Sequence, residues 1–137
     1  MAAPDRTENG STLSETVTAD LIRALIENMA PAPVDWESFS MIIDVDEGVF
    51  SAHGYTYSPD DTITAVAVRA STVRSAADDY FASHYAPGDT LPVQTLVQFE
   101  RASGRYDITF EDTDRDRWKM SPANVRTFRQ GLRPQFD

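Results

Sequence analysis

The chain has no cysteine. That excludes disulfides, thiolate metal sites and a cysteine nucleophile. Histidine is nearly absent: His53 and His84 are the only two. They fall on different expected elements, with no acidic residue at ligand spacing beside either, so both read as boundary residues rather than ligands or bases. No G-x-S-x-G or H-E-x-x-H segment is present to organise a serine nucleophile or a zinc ion. The glycines are scattered, so no phosphate-cradling loop is expected. No apolar run approaches the roughly 20 residues that cross a bilayer. Met1 to Thr12 is polar and lacks the apolar stretch of a secretion signal. The expectation is a cytoplasmic, non-enzymatic protein with no cofactor, no metal and no membrane partner.

Basic charge is scarce as well. Twelve Lys and Arg face 22 Asp and Glu, a net of −10. Direct nucleic-acid binding needs clustered Lys and Arg and is disfavoured. A basic protein partner, or plain solubility, accounts for such an excess. Its distribution is uneven: residues 1–68 hold twelve acids against Arg6 and Arg23, whereas residues 69–137 hold ten charges of each sign. A lopsided field can steer a cationic partner towards one surface.

What is present is enough apolar material for one core. Two Trp, five Tyr and seven Phe supply large buried area in 137 residues. Residues 1–11 carry Pro4 and Gly10 and show no apolar period, so they read as a flexible arm ahead of a single domain over 12–137. Thr12 and Glu15 have capping-box spacing, with Ser14 a competing cap. Leu13, Val17, Leu21, Leu25 and Met29 then recur every four residues, widened by Ile22 and Ile26; Pro31 and Pro33 end this first helix. Trp36 to Asp46 alternates as a strand, with Ile42 out of pattern. Glu47-Gly48 turns into a second strand, Val49 to Tyr57; Ser58 to Asp61 turns into a third, Thr62 to Val68. Ala70 to Tyr85 returns to helical period, with Val73, Ala76, Ala77, Tyr80, Phe81 and His84 on one face and Ser71 as the expected N-cap. Leu91 to Ala102 and Arg105 to Asp112 form a second hairpin about Ser103-Gly104. Ser121-Pro122 opens a third helix, which Gly131 and Pro134 close. The expected fold is α+β: a mainly antiparallel sheet of about five strands with three helices, in the order α-β-β-β-α-β-β-α, and helices covering one face.

Acidic spacing gives the candidate sites. Asp112, Asp114 and Asp116 open like a calcium loop, but Arg117 stands where glycine is needed and Ala123 where a bidentate Glu is needed. The adjacent pairs Asp60-Asp61 and Asp78-Asp79 sit in a turn or on a polar helix face, where neither carboxyl is raised for acid–base work. A binding surface is the better use. Asp44 and Asp46 share strand parity opposite Ile43 and Val45, Glu47 caps that hairpin, and Asp60 and Asp61 follow in the same meander. These five are the candidate partner-binding acids, with Asp112, Asp114 and Asp116 as a second group. The competing reading is a charged sheet edge that discourages aggregation. Trp118, between the charged turn and the Ser121 cap, is expected to pack the last helix onto the sheet.

The chain resembles the YezG-like family of bacterial immunity proteins over roughly residues 13–137. An amphipathic first helix leads to Trp36, then comes an aromatic hairpin containing Val49-Phe50 and Tyr55-Thr56-Tyr57. The late hairpin Gly104-Arg105-Tyr106-Asp107-Ile108-Thr109-Phe110-Glu111 carries most of the resemblance. Arg117-Trp118-Lys119, Ser121-Pro122-Ala123-Asn124 and Leu132-Arg133-Pro134 follow it. The family's aromatic-acidic pair after the late hairpin is replaced here by Glu111-Asp112-Thr113-Asp114. The resemblance implies a protein that binds and blocks a cognate toxin, often a secreted nuclease domain whose phosphate-binding surface is basic. The alternatives are an interaction or regulatory module with no toxin partner, and a small-ligand domain that uses His53, Tyr55 and Tyr57 in a sheet-lined cavity.

Overall fold

The computed structural model describes residues 7–10, 16–46, 49–86, 88–114, 117–118, 127 and 130–134. Among them run β1 (Thr7–Gly10), α1 (Thr16–Asn28), β2 (Met29–Ala30), β3 (Ser38–Asp46), β4 (Val49–Tyr57), β5 (Ile63–Val68), α2 (Ala70–His84), β6 (Gln94–Glu100) and β7 (Tyr106–Glu111). The strands form one sheet in the order β1-β7-β6-β3-β4-β5-β2. Every neighbouring pair is antiparallel.

The α+β class, the antiparallel sheet and all five expected strands are present. Two strands are additional. Thr7–Gly10, read from sequence as part of a flexible arm, pairs with β7 and forms one edge. Met29–Ala30 continues α1 directly into a short strand beside Ala67 and Val68. Neither announces itself by alternation, because an edge strand can take its order from the hydrogen-bonding groups of its neighbour. The expected third helix lies outside the described residues apart from Thr127, Gln130 and Gly131, which have helical backbone. The Thr12–Glu15 box and the Glu47-Gly48 turn also lie outside them. Ser71 is not the N-cap of α2: Arg69 holds that position without a side-chain cap bond, and Thr72 Oγ1 donates to the Arg69 carbonyl at 2.6 Å.

Both helices lie on one face. From α1, Leu21, Ile22 and Leu25 pack with Val73, Ala77, Tyr80 and Phe81 of α2 over Phe39, Met41, Ile43, Val97, Phe99, Ile108 and Phe110 of the sheet. Strand parity selects these residues, since alternate side chains project to one face. Trp36 closes one end of this core, 5.8 Å from Phe39 and 6.4 Å from Phe99 between ring centroids.

The opposite face is covered in part, with Ser51, Ala65 and Ala67 exposed on it. Ile42, which breaks the alternation of its strand, packs there with Tyr55, Tyr57, Leu96, Trp118 and Leu132. Its register partners make this consistent, because Ile42 sits between His53 and Leu96 across three strands. An apolar residue at an outward parity position thus reveals a second, smaller core, shared with Trp118 and Leu132.

Candidate functional site

The expected acidic surface divides between the two ends of the sheet. Asp44 pairs with Gln94, and Gln94 with Glu111, so the three side chains form a row across β3, β6 and β7 on the face away from α1 and α2. At about 4.8 Å between strands, Asp44 and Glu111 stand about 10 Å apart. Asp46 occupies the last position of β3 at this end, opposite Val49. Asp112 and Asp114 follow directly from Glu111. Glu47 and Asp116 lie outside the described residues. Asp60 and Asp61 are elsewhere: they follow Tyr57, which pairs with Ser38 at the far end of β3. Eight residue steps of strand, about 27 Å, separate them from Asp46. The five-residue patch expected from the first meander is therefore not one patch. Alternation along a strand tells which face a residue takes, but the meander places its two turns at opposite ends.

Each end has its own counter-charge. At the far end Arg133 Nη1 lies 2.9 Å from Asp61, and Arg133 Nη2 lies 3.9 Å from Glu37. Arg101 sits over the Trp36 ring at 4.2 Å and donates to the Val34 and Trp36 carbonyls at 3.0 Å. Asp60 is fully exposed, and its bonds from Thr62 hold its carboxyl below the usual carboxylate range.

At the Asp44 end the organiser is Glu111, which sequence spacing does not single out. Its side chain is about 90% covered and ion-paired to Arg117 at 2.9 Å. Its other oxygen accepts from the backbone N–H groups of Thr113, at 3.3 Å, and Asp114, at 3.1 Å. These two N–H groups fix the turn that carries Asp112 and Asp114 at the same end of the sheet as Asp44. Arg117 in turn lies 4.7 Å over the Trp118 ring. Asp44 accepts from the Gln94 side-chain amide at 3.1 Å, which holds its carboxylate in the row. Half-buried His53 stands diagonally beside Asp44; burial lowers its pKa from 6.5, and the Asp44 charge opposes that shift.

Backbone bonds to Asp114 come first among the causes that depress the Glu111 pKa, with the Arg117 bond and charge adding to them. A carboxyl with a folded pKa below its ordinary 4.5 contributes stability at pH values above 4.5. That contribution is lost as pH falls through the folded value. Glu111→Gln is expected to cost about 1–3 kcal/mol near neutral pH. It should also flatten the acid limb of the stability curve below pH 4.5. Urea melts of both proteins between pH 3 and pH 7 check this, and an unchanged acid limb would contradict it.

Among the described residues the other groups singled out from sequence lie apart. Tyr55 and Tyr57 are packed in the second core with Ile42 and Leu96 instead of lining a cavity. His84 is on the helical side, edge-on to Tyr80 and Phe110. A shallow cleft of about 350 Å³ lies at the end of α2, lined in part by Asp78, Phe81, Tyr85, Asp89 and Leu91. Its two carboxylates are engaged structurally, Asp78 with Arg74 at 3.4 Å and Asp89 with the Ala86 N–H at 2.8 Å. Among the described residues no group of three or more His, Asp or Glu could hold a metal ion, and no helix is long and apolar enough to cross a membrane.

Comparison with protein-family models, with curated proteins and with solved structures found no match.

Proposed function

We propose that this protein is a non-catalytic binder that neutralises a toxin with a basic surface, and that the Asp44 end of the sheet meets that surface. The observation that carries this reading is the convergence of Asp44 on β3 with Glu111 and the Asp112–Asp114 turn, which arrive from distant parts of the chain. Glu111 and Gln94 hold the arrangement in place before any partner arrives. Arg117 balances Glu111, which leaves Asp44, Asp112 and Asp114 as the negative excess; preorganised excess charge accelerates encounter with an oppositely charged patch and fixes its orientation. A nuclease domain presents such a patch, because it must bind phosphate. The resemblance to YezG-like immunity proteins points the same way, and occlusion of the partner's active site requires no chemistry from the binder.

The partner is to be captured from the native host with the tagged protein and identified by mass spectrometry; it should be a toxin whose growth inhibition this protein relieves. Replacing Asp44, Asp46, Asp112 and Asp114 together with Asn should then slow association about tenfold or more at low salt and weaken its salt dependence. Replacing Asp60 and Asp61 should leave both nearly unchanged, since they stand at the far end. Equal on-rates and salt slopes for wild type and the four-site variant would refute the acidic end as the docking surface. A captured partner without toxicity would refute the immunity role.

A further inference from the structure

We propose that the set of side chains Ser40, Gln98, Tyr57 and Asp61, on the face opposite the helices, is a peptide-binding site for a leucine–arginine element, occupied in this chain by its own Leu132–Arg133. The set lies towards the far end from Asp44, and the inference does not rest on the toxin reading.

Three contacts define the site, and each reads a different part of the guest. The Leu132 carbonyl accepts from two side chains, Ser40 Oγ and Gln98 Nε2, the latter at 2.9 Å. Ser40 is fully buried, and Gln98 also donates to its hydroxyl at 3.3 Å. Tyr57 is hydrogen-bonded to the same hydroxyl, and burial raises its pKa above the usual phenol range. Polar side chains buried on a sheet face must find partners, and here they converge on one backbone oxygen of the guest. The Leu132 side chain fills the apolar part, in one cluster with Ile42, Tyr55, Tyr57, Leu96 and Trp118. The Arg133 guanidinium lies 5.5 Å over the Tyr57 ring and 2.9 Å from Asp61. Asp61 holds a left-handed backbone, φ 67°, within the turn that presents its carboxylate to this arginine.

Host and guest differ in how they are built. The host residues stand on β3, β4, β6 and the β4–β5 turn, where the strand ladder fixes them. The guest is two consecutive residues, and its local backbone bond runs from Arg133 N–H to the Gln130 carbonyl at 3.2 Å. A carbonyl clamp, an apolar socket and an aromatic-acidic arginine seat are the elements with which a protein recognises a short peptide in trans. A Leu-Arg segment of another protein offers the same three groups, and binding it requires the resident strap to leave. An intramolecular guest competes at an effective concentration of about millimolar or more.

The test uses the full chain and the acetylated, amidated peptide Gln-Gly-Leu-Arg-Pro, which copies residues 130–134. In the variant Leu132→Ser with Arg133→Glu, the guest loses its socket contact and its glutamate faces Asp61 and Glu37. By calorimetry this variant should bind one peptide per chain, at least tenfold more tightly than wild type. Adding Asp61→Asn or Gln98→Ala to it should weaken the binding. Should the double variant not melt cooperatively, Arg133→Gln alone is titrated, and it should bind the peptide more tightly than wild type. A folded variant that takes up no peptide at millimolar concentration would overturn the proposal. So would binding indifferent to Asp61 and Gln98. Loss of folding in both strap variants would show Leu132–Arg133 to be an inseparable part of the core, and would overturn it as well.

Discussion

Gly54→Ala should cost at least about 3 kcal/mol, more than half the stability of a domain at the low end of the ordinary range of about 5–15 kcal/mol. Gly54 sits in the middle of β4, opposite Met41. A Cβ there would overlap the Ser40 carbonyl oxygen and stand 2.8 Å from the Met41 Cα. Both are backbone atoms of the central strand, so no rotamer change relieves the overlap. The strand itself would have to shift, and with it the pairing of β3 to β6. Gly104→Ala is the control. Gly104 has φ 73°, and a Cβ there would meet nothing within 4 Å, so only the backbone conformation is penalised. That substitution should cost about 1–2 kcal/mol. Chemical denaturation of the two variants separates overlap from backbone preference. Equal losses would mean that β3 and β4 can part without consequence at Gly54.

Trp118→Ala should be the next most damaging change, at about 3–5 kcal/mol. The indole is 6% exposed and belongs to the second core with Ile42, Tyr55, Tyr57, Leu96 and Leu132. Its removal opens a cavity beneath Arg117, whose guanidinium lies over the ring. Because Arg117 also holds Glu111, the damage should reach the turn that carries Asp112 and Asp114. The melting temperature should fall by about 10–20 °C, and binding of a basic partner should weaken along with it. Trp118→Phe should recover most of the stability, because the aromatic volume is largely kept. An unchanged melting temperature in Trp118→Ala would place the indole outside the core.

The helices α1 and α2 and the five long strands were legible because each rests on a local rule. Val17, Leu21 and Leu25 repeat at a spacing that only a helix turns to one side, whereas Met29, next in the same period, belongs to β2. Phe39, Met41 and Ile43 alternate as only a strand requires, and Ser103-Gly104 supplies the left-handed residue that its hairpin needs. Ile42 looked like a flaw in the pattern. It is the residue on which the second core is built, and its meaning depends on Trp118 and Leu132, which no local window contains. The edge strands Thr7–Gly10 and Met29–Ala30 were illegible for a related reason: their partners, β7 and β5, are supplied by distant sequence.

The candidate site divides along the same line. The sequence by itself determined the acidic excess, the shared parity of Asp44 and Asp46, and the Asp112–Asp114 spacing, because composition and period are properties of neighbours along a chain. Only the tertiary structure decided which acids meet. Pairing β3 with β6 places Asp44 opposite Gln94, and pairing β6 with β7 adds Glu111 to the row. The same topology sends Asp60 and Asp61 to the opposite end and brings Arg133 to Asp61. The concentration of net negative charge in the first half of the chain is therefore not a concentration on one surface. Charge acts through distance in space, and that distance is set by strand order and register, which are fixed by the packing of residues remote in sequence.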